Sequence, residues 1–516
     1  MKRILFVAAL AVVLQSVYAQ TEFDVVKYLE PNISGSARYS SMAGAFGALG
    51  GDPSAIKDNP AGLGIFRSSE ISGSLGLLTN NISSKWLGVT SSEVSTNFSP
   101  NNLSFIISNA KNQGKKTGLQ RSNWAFNYNK LNSFNREVRI NGGSTTSSLS
   151  HYLGYFSGSI SGDDLYFKDN SSYDPYNNTS ASWLSVLAAN ADFILGGEDQ
   201  DGKYWGSFLG AGETLTPSYN LVETGSFSQF LFSWSGNFSN RIFLGASINM
   251  YSQDYSAEAY YTEKYQTDKV SLGNYYNSEA TGVGLKFGTI LVPVDYLRLG
   301  LSLQTPVLYS VNDYNNAEIY YNGSKIGYTP TAETDFKIMS PIIYNLSAAF
   351  LMGNSGVIGI EYETADNSQS QLLDLDENDV LSGKNFREEN DSINALFKSR
   401  SILKLGFEYK LNSNISLRAG YAIADPVTSD KLNKYMIPNT VRTDPEYFVK
   451  KGATYITGGL GYRESNWYVD FAVIHKTFEE SFNPYNSKNL MSQFQIPSAK
   501  LTNTNLSFNA TVGLKF

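Results

Sequence analysis

The chain has 516 residues, of which 14% are aromatic and only 17% charged, with a formal net charge of −7. Nothing concentrates Lys or Arg, which argues against a nucleic-acid partner, and the absence of cysteine excludes an acylated lipoprotein anchor, a disulfide framework and thiolate metal sites. Mean hydropathy is −0.25, and beyond the first residues no apolar run approaches the ~20 residues of a transmembrane helix, so any membrane span must be made by alternating strands.

Lys2 and Arg3 precede an apolar run from Ile4 to Leu14, and Val17-Tyr18-Ala19 has the small-x-small pattern of a cleavage site. Residues 1–19 therefore read as a secretory signal peptide, with the mature chain expected to start at Gln20. The stretch from Ser36 to Phe66 is too rich in glycine for a regular helix or strand, and Pro53 and Pro60 interrupt any helix that starts there. Its backbone must follow a compact, irregular path. Within it stand Ala37-Arg38, the small-residue run Met42 to Phe46 that includes Gly44, the step Asp52 to Ala55, and Asn59-Pro60-Ala61-Gly62-Leu63.

This order of residues resembles the N-terminal hatch of the FadL/TodX family of outer-membrane transporters. The resemblance implies an all-β fold: a transmembrane antiparallel β-barrel of about 14 strands, formed by residues 67–516 and plugged by a small hatch formed by residues 20–66. It also implies that the hatch blocks a free aqueous channel and shifts for a hydrophobic substrate to pass from the mouth to an opening at a kinked wall strand. That gating role carries over to Asn59, Pro60 and Ala61, with Gly44 in the same hatch; the kinked strand and the ligand pocket are left unplaced.

Ser68 to Leu77, Asn102 to Asn109 and Arg121 to Lys130 are the first candidate strands, and Asn132 to Asn141 is a sparse fourth. From about residue 142 to 224 the alternation stops, as it does in the long extracellular loops of outer-membrane barrels. One helix is expected inside that loop, over Ala181 to Leu195, with Trp183, Leu184, Leu187, Ala191, Ile194 and Leu195 on one face. That face either receives a hydrophobic ligand or packs on the barrel rim, and packing is the commoner use of an amphipathic helix.

From Gly225 the strands come in pairs. Phe230, Phe232, Trp234 and Phe238 share a face, as do Ile242, Leu244, Ala246, Ile248 and Met250, with Ser239-Asn240 as the turn between. Gly288 to Pro293 followed by Tyr296 to Pro306 resembles the FadL-type hairpin leading into an Arg-Leu-Gly-Leu strand, which puts Leu297, Leu299, Leu301 and Leu303 toward lipid and Arg298, Ser302 and Gln304 toward the lumen. Further pairs are Ile343 to Leu351 with Val357 to Tyr362, Leu403 to Lys410 with Ile415 to Ala422, and Tyr455 to Tyr462 with Trp467 to His475. Two more long loops are expected, at about 366–399 and 425–452. In Asn505 to Phe516 every even position is apolar and every odd one polar or Gly, a strand with one lipid and one wet face. A terminal strand ending in Phe resembles the insertion signal of outer-membrane barrels. The tally of about fifteen conflicts with the even strand numbers of bacterial single-chain barrels, so the segment near Asn132 is in excess.

Chemistry is sparse. His151 and His475 stand without a second base or metal cluster nearby, and no nucleophile elbow, zinc spacing or phosphate loop is present, so no enzyme and no cofactor is expected. Asp374 to Asn385 has the first spacings of a calcium loop but lacks its glycine and its terminal Glu, and Asp199-Gln200-Asp201-Gly202 is shorter still; both read as solvated loops, and no metal site is assigned. By period Arg298 and Arg418 face the lumen with Glu361, Glu408 and Asp470. They either close a neutralising network in the wall or leave a guanidinium for a ligand head group. The sequence thus points to an outer-membrane channel for passive uptake of hydrophobic molecules such as long-chain fatty acids. The alternative is a barrel of the same family, like PorV, serving as an adaptor for a protein partner in the outer membrane.

Overall fold

The structure is a computed structural model that describes residues 20–516 apart from 31, 112–116, 169–171, 179, 198–203, 376–380 and 437–439. The expected signal peptide and the Asp199-to-Gly202 loop lie outside the described residues. Two short helices come first, α1 (Glu22–Leu29) and α2 (Ala37–Ser41), followed by 3₁₀ turns at Pro53–Lys57 and Pro60–Ile65.

The remainder is a wall of fourteen antiparallel strands. They are β1 (Glu70–Trp86), β2 (Val89–Ala110), β3 (Leu119–Ser133, resuming at Arg136–Asn141), β4 (Thr216–Phe238), β5 (Ile242–Lys264), β6 (Lys269–Val294) and β7 (Leu297–Gln304, resuming at Leu308–Tyr321). The second half comprises β8 (Ala332–Met339 and Ile343–Met352), β9 (Gly356–Asp366, extended by Gln371–Leu375), β10 (Ser399–Lys410), β11 (Ile415–Ala424), β12 (Tyr447–Arg463), β13 (Trp467–Asn483) and β14 (Ala499–Lys515). Each pairs with its sequence neighbour, and β14 closes the ring on β1 from Lys515 opposite Glu70 to Lys500 opposite Lys85. Closure leaves no sheet edge for lipid to meet.

Alternation decides which face meets lipid. Leu299, Leu301, Leu346, Ile360, Leu405, Phe471 and Val512 are exposed large hydrophobics, whereas Ser302, Gln304, Glu361, Arg418 and Asp470 are buried inside. An apolar outer belt around a polar interior is what a lipid solvent demands. Tyr296, Tyr409, Tyr462, Trp467 and Phe516 stand exposed near the short-turn end, where amphipathic rings favour the interface. The turn between β4 and β5 is tight because Ser239 and Asn240 take φ of 55° and 54°, matching the twist of the paired strands. No helix among the described residues is long and apolar enough to span a membrane.

Two sequence expectations are corrected here. Asn132 to Asn141 is not a separate strand: both halves of β3 pair with β4, from Leu119 opposite Phe238 to Asn141 opposite Ser218, across a break at Phe134 and Asn135. β4 begins at Thr216 rather than near Gly225. There Tyr219 and Leu221 point inward and are buried, because above the membrane the wall packs on folded loops instead of enclosing water. The lipid-facing alternation rule fails at that height for this reason.

Those loops form a cap with its own core. Helices Leu149–Phe156 and Trp183–Asn190 and the hairpin Ile194–Gly197 with Tyr204–Ser207 pack with Trp86, Tyr219, Tyr261 and Phe482 of the wall. The expected helix is shorter than its pattern, since Asp192 takes φ of 54° and ends it and Ile194 and Leu195 enter the hairpin. Leu184 and Leu187 of the expected face are buried in the same cluster as Ala317 and Ile319 of β7, as are Val186 and Ala188 outside it, so the helix packs on the rim, whereas Leu195 stays exposed.

Candidate functional site

The plug follows from its sequence. Asp52 and Asn59 each cap the 3₁₀ turn that a following proline opens: Asp52 Oδ1 accepts from Ser54 N at 2.9 Å and Asn59 Oδ1 from Ala61 N at 3.0 Å. The Asn59 amide nitrogen donates to Gly47 O at 2.8 Å and, across to the wall, to Thr289 O at 3.1 Å. Gly44 takes φ of 76°, and a Cβ there would stand 2.7 Å from the Tyr39 hydroxyl, so this turn requires glycine.

The wall is hollowed to receive the plug backbone. Gly245, Gly288, Gly300, Gly359, Gly406, Gly420 and Gly459, on β5 to β7 and β9 to β12, each face plug atoms where a Cβ would intrude. At Gly245 it would stand 2.4 Å from Ala61 N and at Gly288 2.0 Å from Asn59 Oδ1. The Asn59-Pro60-Ala61 corner therefore sits directly on two glycines of adjacent strands, and glycine in these strands serves close approach.

Charges reinforce the seat. Glu361 Oε2 accepts from Gly47 N at 2.6 Å and Phe46 N at 3.1 Å, while its other oxygen meets Lys404 Nζ at 2.7 Å. Arg418 bonds Glu408 and Asp470 at 2.6 Å each, and Arg38 of the plug bonds the same Glu408 at 2.8 Å. Arg298 donates to Leu49 O at 2.6 Å. Both arginines singled out in the sequence are thus engaged in or beside the plug, and neither lines the main cavity.

That cavity, about 330 Å³, lies between the plug and the cap, within the size range of small-molecule sites. α1 forms one side of it. Thr21 and Asp24 start this helix, with Asp24 Oδ2 accepting from Thr21 N at 2.8 Å; the Thr-x-x-Asp spacing was a signal the sequence reading passed over. Val25, Tyr28 and Leu29 pack among Phe227, Tyr251 and Tyr309 of the wall. Phe23, Val26, Ile82, Phe134 and Phe448 supply apolar lining.

Charged lining groups are largely paired. Arg136 bonds Glu223 and Glu480, Arg442 bonds Asp24 at 3.2 Å, Lys434 bonds Asp444 at 2.7 Å and Lys450 bonds Glu30 at 2.8 Å. In the loop before β12, burial and the neighbouring Asp444 push the Glu446 carboxyl up to about 7. Asp444 is also buried, but Arg442 and Lys434 overrule that and hold it below the usual carboxylate range.

The cavity reaches the wall at β3. The β2–β3 ladder runs from Ala110 opposite Arg121 to Asn102 opposite Asn129 and stops. Beyond it β2 pairs with β1 alone and β3 with β4 alone. What crosses this seam is side-chain bonding: Asn97 Nδ2 and Asn80 Nδ2 donate to Asn135 O at 3.1 and 2.9 Å, and Ser91 meets Asn141 at 2.9 Å. Gly225 of β4, with φ of 115°, holds the break from the other side, donating to Asn135 Oδ1 at 2.8 Å and accepting from Phe134 N at 3.1 Å. Ser99, Asn101, Lys130, Ser133, Phe134 and Asn135 line both seam and cavity. The sequence reading did not find this break; the interruption of the outward run Trp124, Phe126, Tyr128 by Lys130 was its available sign.

No family model matches the chain, and no curated protein matches it. Solved structures do. A FadL homologue from Pseudomonas aeruginosa matches over 94% of this chain and 99% of its own, at 11% identity and a TM-score of 0.53. The Pseudomonas putida toluene transporter TodX matches over the same shares, at 12% identity and a TM-score of 0.51. The chain therefore shares the plugged, fourteen-strand barrel fold of the FadL/TodX-type outer-membrane transporters.

Proposed function

We propose that the protein is a channel of the bacterial outer membrane for passive uptake of hydrophobic small molecules such as long-chain fatty acids, exported through its signal peptide and gated by its hatch. The observation that carries this reading is the cavity that meets a break in the wall ladder while the plug stays seated below it. An apolar solute that leaves sideways through the wall does not require the plug to leave the barrel: a local shift of the hatch admits it to the opening, while the seated plug keeps water and ions out. In this reading Gly44, Asn59, Pro60 and Ala61 hold the closed seat of the hatch, and no catalytic step is involved. The names of the structural neighbours support the hydrophobic class of cargo. A wall-reaching cavity also favours transport over an adaptor role, for which a filled lumen would serve as well.

The test compares uptake of radiolabelled palmitate and toluene by cells lacking the protein and by the same cells complemented with it. Faster uptake of either on complementation is the expected result. Unchanged uptake of both, together with a stoichiometric protein partner and no lipid on the gently extracted barrel, would replace the channel by the adaptor.

A further inference from the structure

Resting on the uptake reading, one side chain in the seam specifies the kind of cargo. Lys130 is 9% exposed, lines the cavity, and makes no hydrogen bond or ion pair among the described residues. By alternation with Trp124 and Phe126, both exposed to lipid, it falls on the outward side of β3. A register shift between Lys130 and Asn132 interrupts the strand at this point, one residue beyond the last β2–β3 pair. Lys130 therefore sits in the thickness of the wall where the seam opens.

The Lys130 ammonium faces the cavity, and an apolar solute that filled the cavity would strip it of solvent at a cost. The cavity lining carries eight cationic side chains and six carboxylates, and Glu480 and Glu479 just outside it pair with Arg136 and Lys451. Arg136, Arg442, Lys434 and Lys450 are paired as described above, Lys27 and Lys451 pair with Asp24 and Glu479, and Lys476 stacks on the Phe478 ring at 5.1 Å. Lys130 faces the same space as Phe23, Ile82 and Phe134. A neutral hydrocarbon would leave Lys130 unsatisfied; an anion with an alkyl tail would pair with it and fill the apolar lining.

We propose that Lys130 is the docking point at the wall seam for the anionic head of an amphipathic molecule, carboxylate or phosphate, whose tail lies in the cavity. The head pairs with the ammonium as a charge-assisted hydrogen bond, and the seam selects acids over neutral molecules of equal length.

The test measures binding of dodecanoate, methyl dodecanoate and dodecyl phosphate to the detergent-purified barrel and to its Lys130→Met and Lys130→Arg variants. The intact protein is expected to bind an anion about tenfold or more tightly than the ester, as a charged hydrogen bond allows. Lys130→Met should abolish that preference without changing ester affinity, and Lys130→Arg should retain it. Preference for dodecanoate identifies a free acid as the source of the head; preference for dodecyl phosphate identifies a membrane lipid. Equal binding of acid, phosphate and ester by the intact protein overturns the proposal and leaves the uptake reading standing. Binding of none of the three overturns both. Should Lys130→Met fail to fold, Lys130→Gln takes its place, and an acid preference that survives in it overturns the assignment to Lys130.

Discussion

Replacing Arg418 by leucine is expected to destabilise the barrel by about 3–5 kcal/mol, the usual result of removing one partner from a buried ionic network. Arg418 is buried between Glu408 and Asp470. Glu408 would keep Arg38 of the plug, but Asp470, 1% exposed and with no partner on its other oxygen, would be left as an uncompensated carboxylate. The loss is read as a lower temperature for disappearance of the folded, heat-modifiable band on gel electrophoresis. Adding Asp470→Asn to Arg418→Leu should recover part of the loss, because the orphaned charge is then gone. An Arg418→Leu protein that melts with the parent would show that the network carries no net stability.

Replacing Gly288 by valine is expected to unseat the hatch. The added Cβ would stand 2.0 Å from Asn59 Oδ1 and 3.0 Å from Pro60 Cδ, and β6 cannot retreat because it is laddered on both sides, to β5 and β7. Overpacking of this kind costs about 1–3 kcal/mol. Here the cost falls on the bonds from Asn59 to Gly47 and Thr289, which hold the corner to itself and to the wall. In planar bilayers the parent should be nearly silent and Gly288→Val should show steady ion-conducting steps. Silent Gly288→Val channels, with the variant folded, would mean that the corner does not hold the seal.

The parts of the molecule legible in the sequence are those where one physical rule acts alone. Leu297 to Gln304 and Asn505 to Phe516 lie within the membrane, where lipid on one side and a polar interior on the other impose a period of two, and both are strands. The Asn59-Pro60 corner was legible because a capping side chain followed by proline has few conformations. Legibility fails where surroundings change along a single strand. β4 and β5 continue far above the lipid, and there Tyr219 and Tyr261 turn inward onto the cap, where they meet the rings of Phe482 and Tyr485 from far along the chain. The seam was missed for a different reason: a ladder that stops is a property of two strands, and only Lys130, a charge in an outward aromatic row, betrays it in one. Arg298 and Arg418 were placed in the lumen correctly by period, yet period says nothing of height, and both lie at the level of the plug instead of the cavity.

Passage of cargo through the seam between β2 and β3 is tested most directly at Ser99. Ser99 lines the cavity beside that seam, and the natural chain has no cysteine, so Ser99→Cys can be labelled specifically with a bulky maleimide in whole cells. Uptake of radiolabelled palmitate should match the parent in the unlabelled variant and fall about tenfold or more on labelling, with folding unchanged. Undiminished uptake by the fully labelled barrel would contradict passage through the wall.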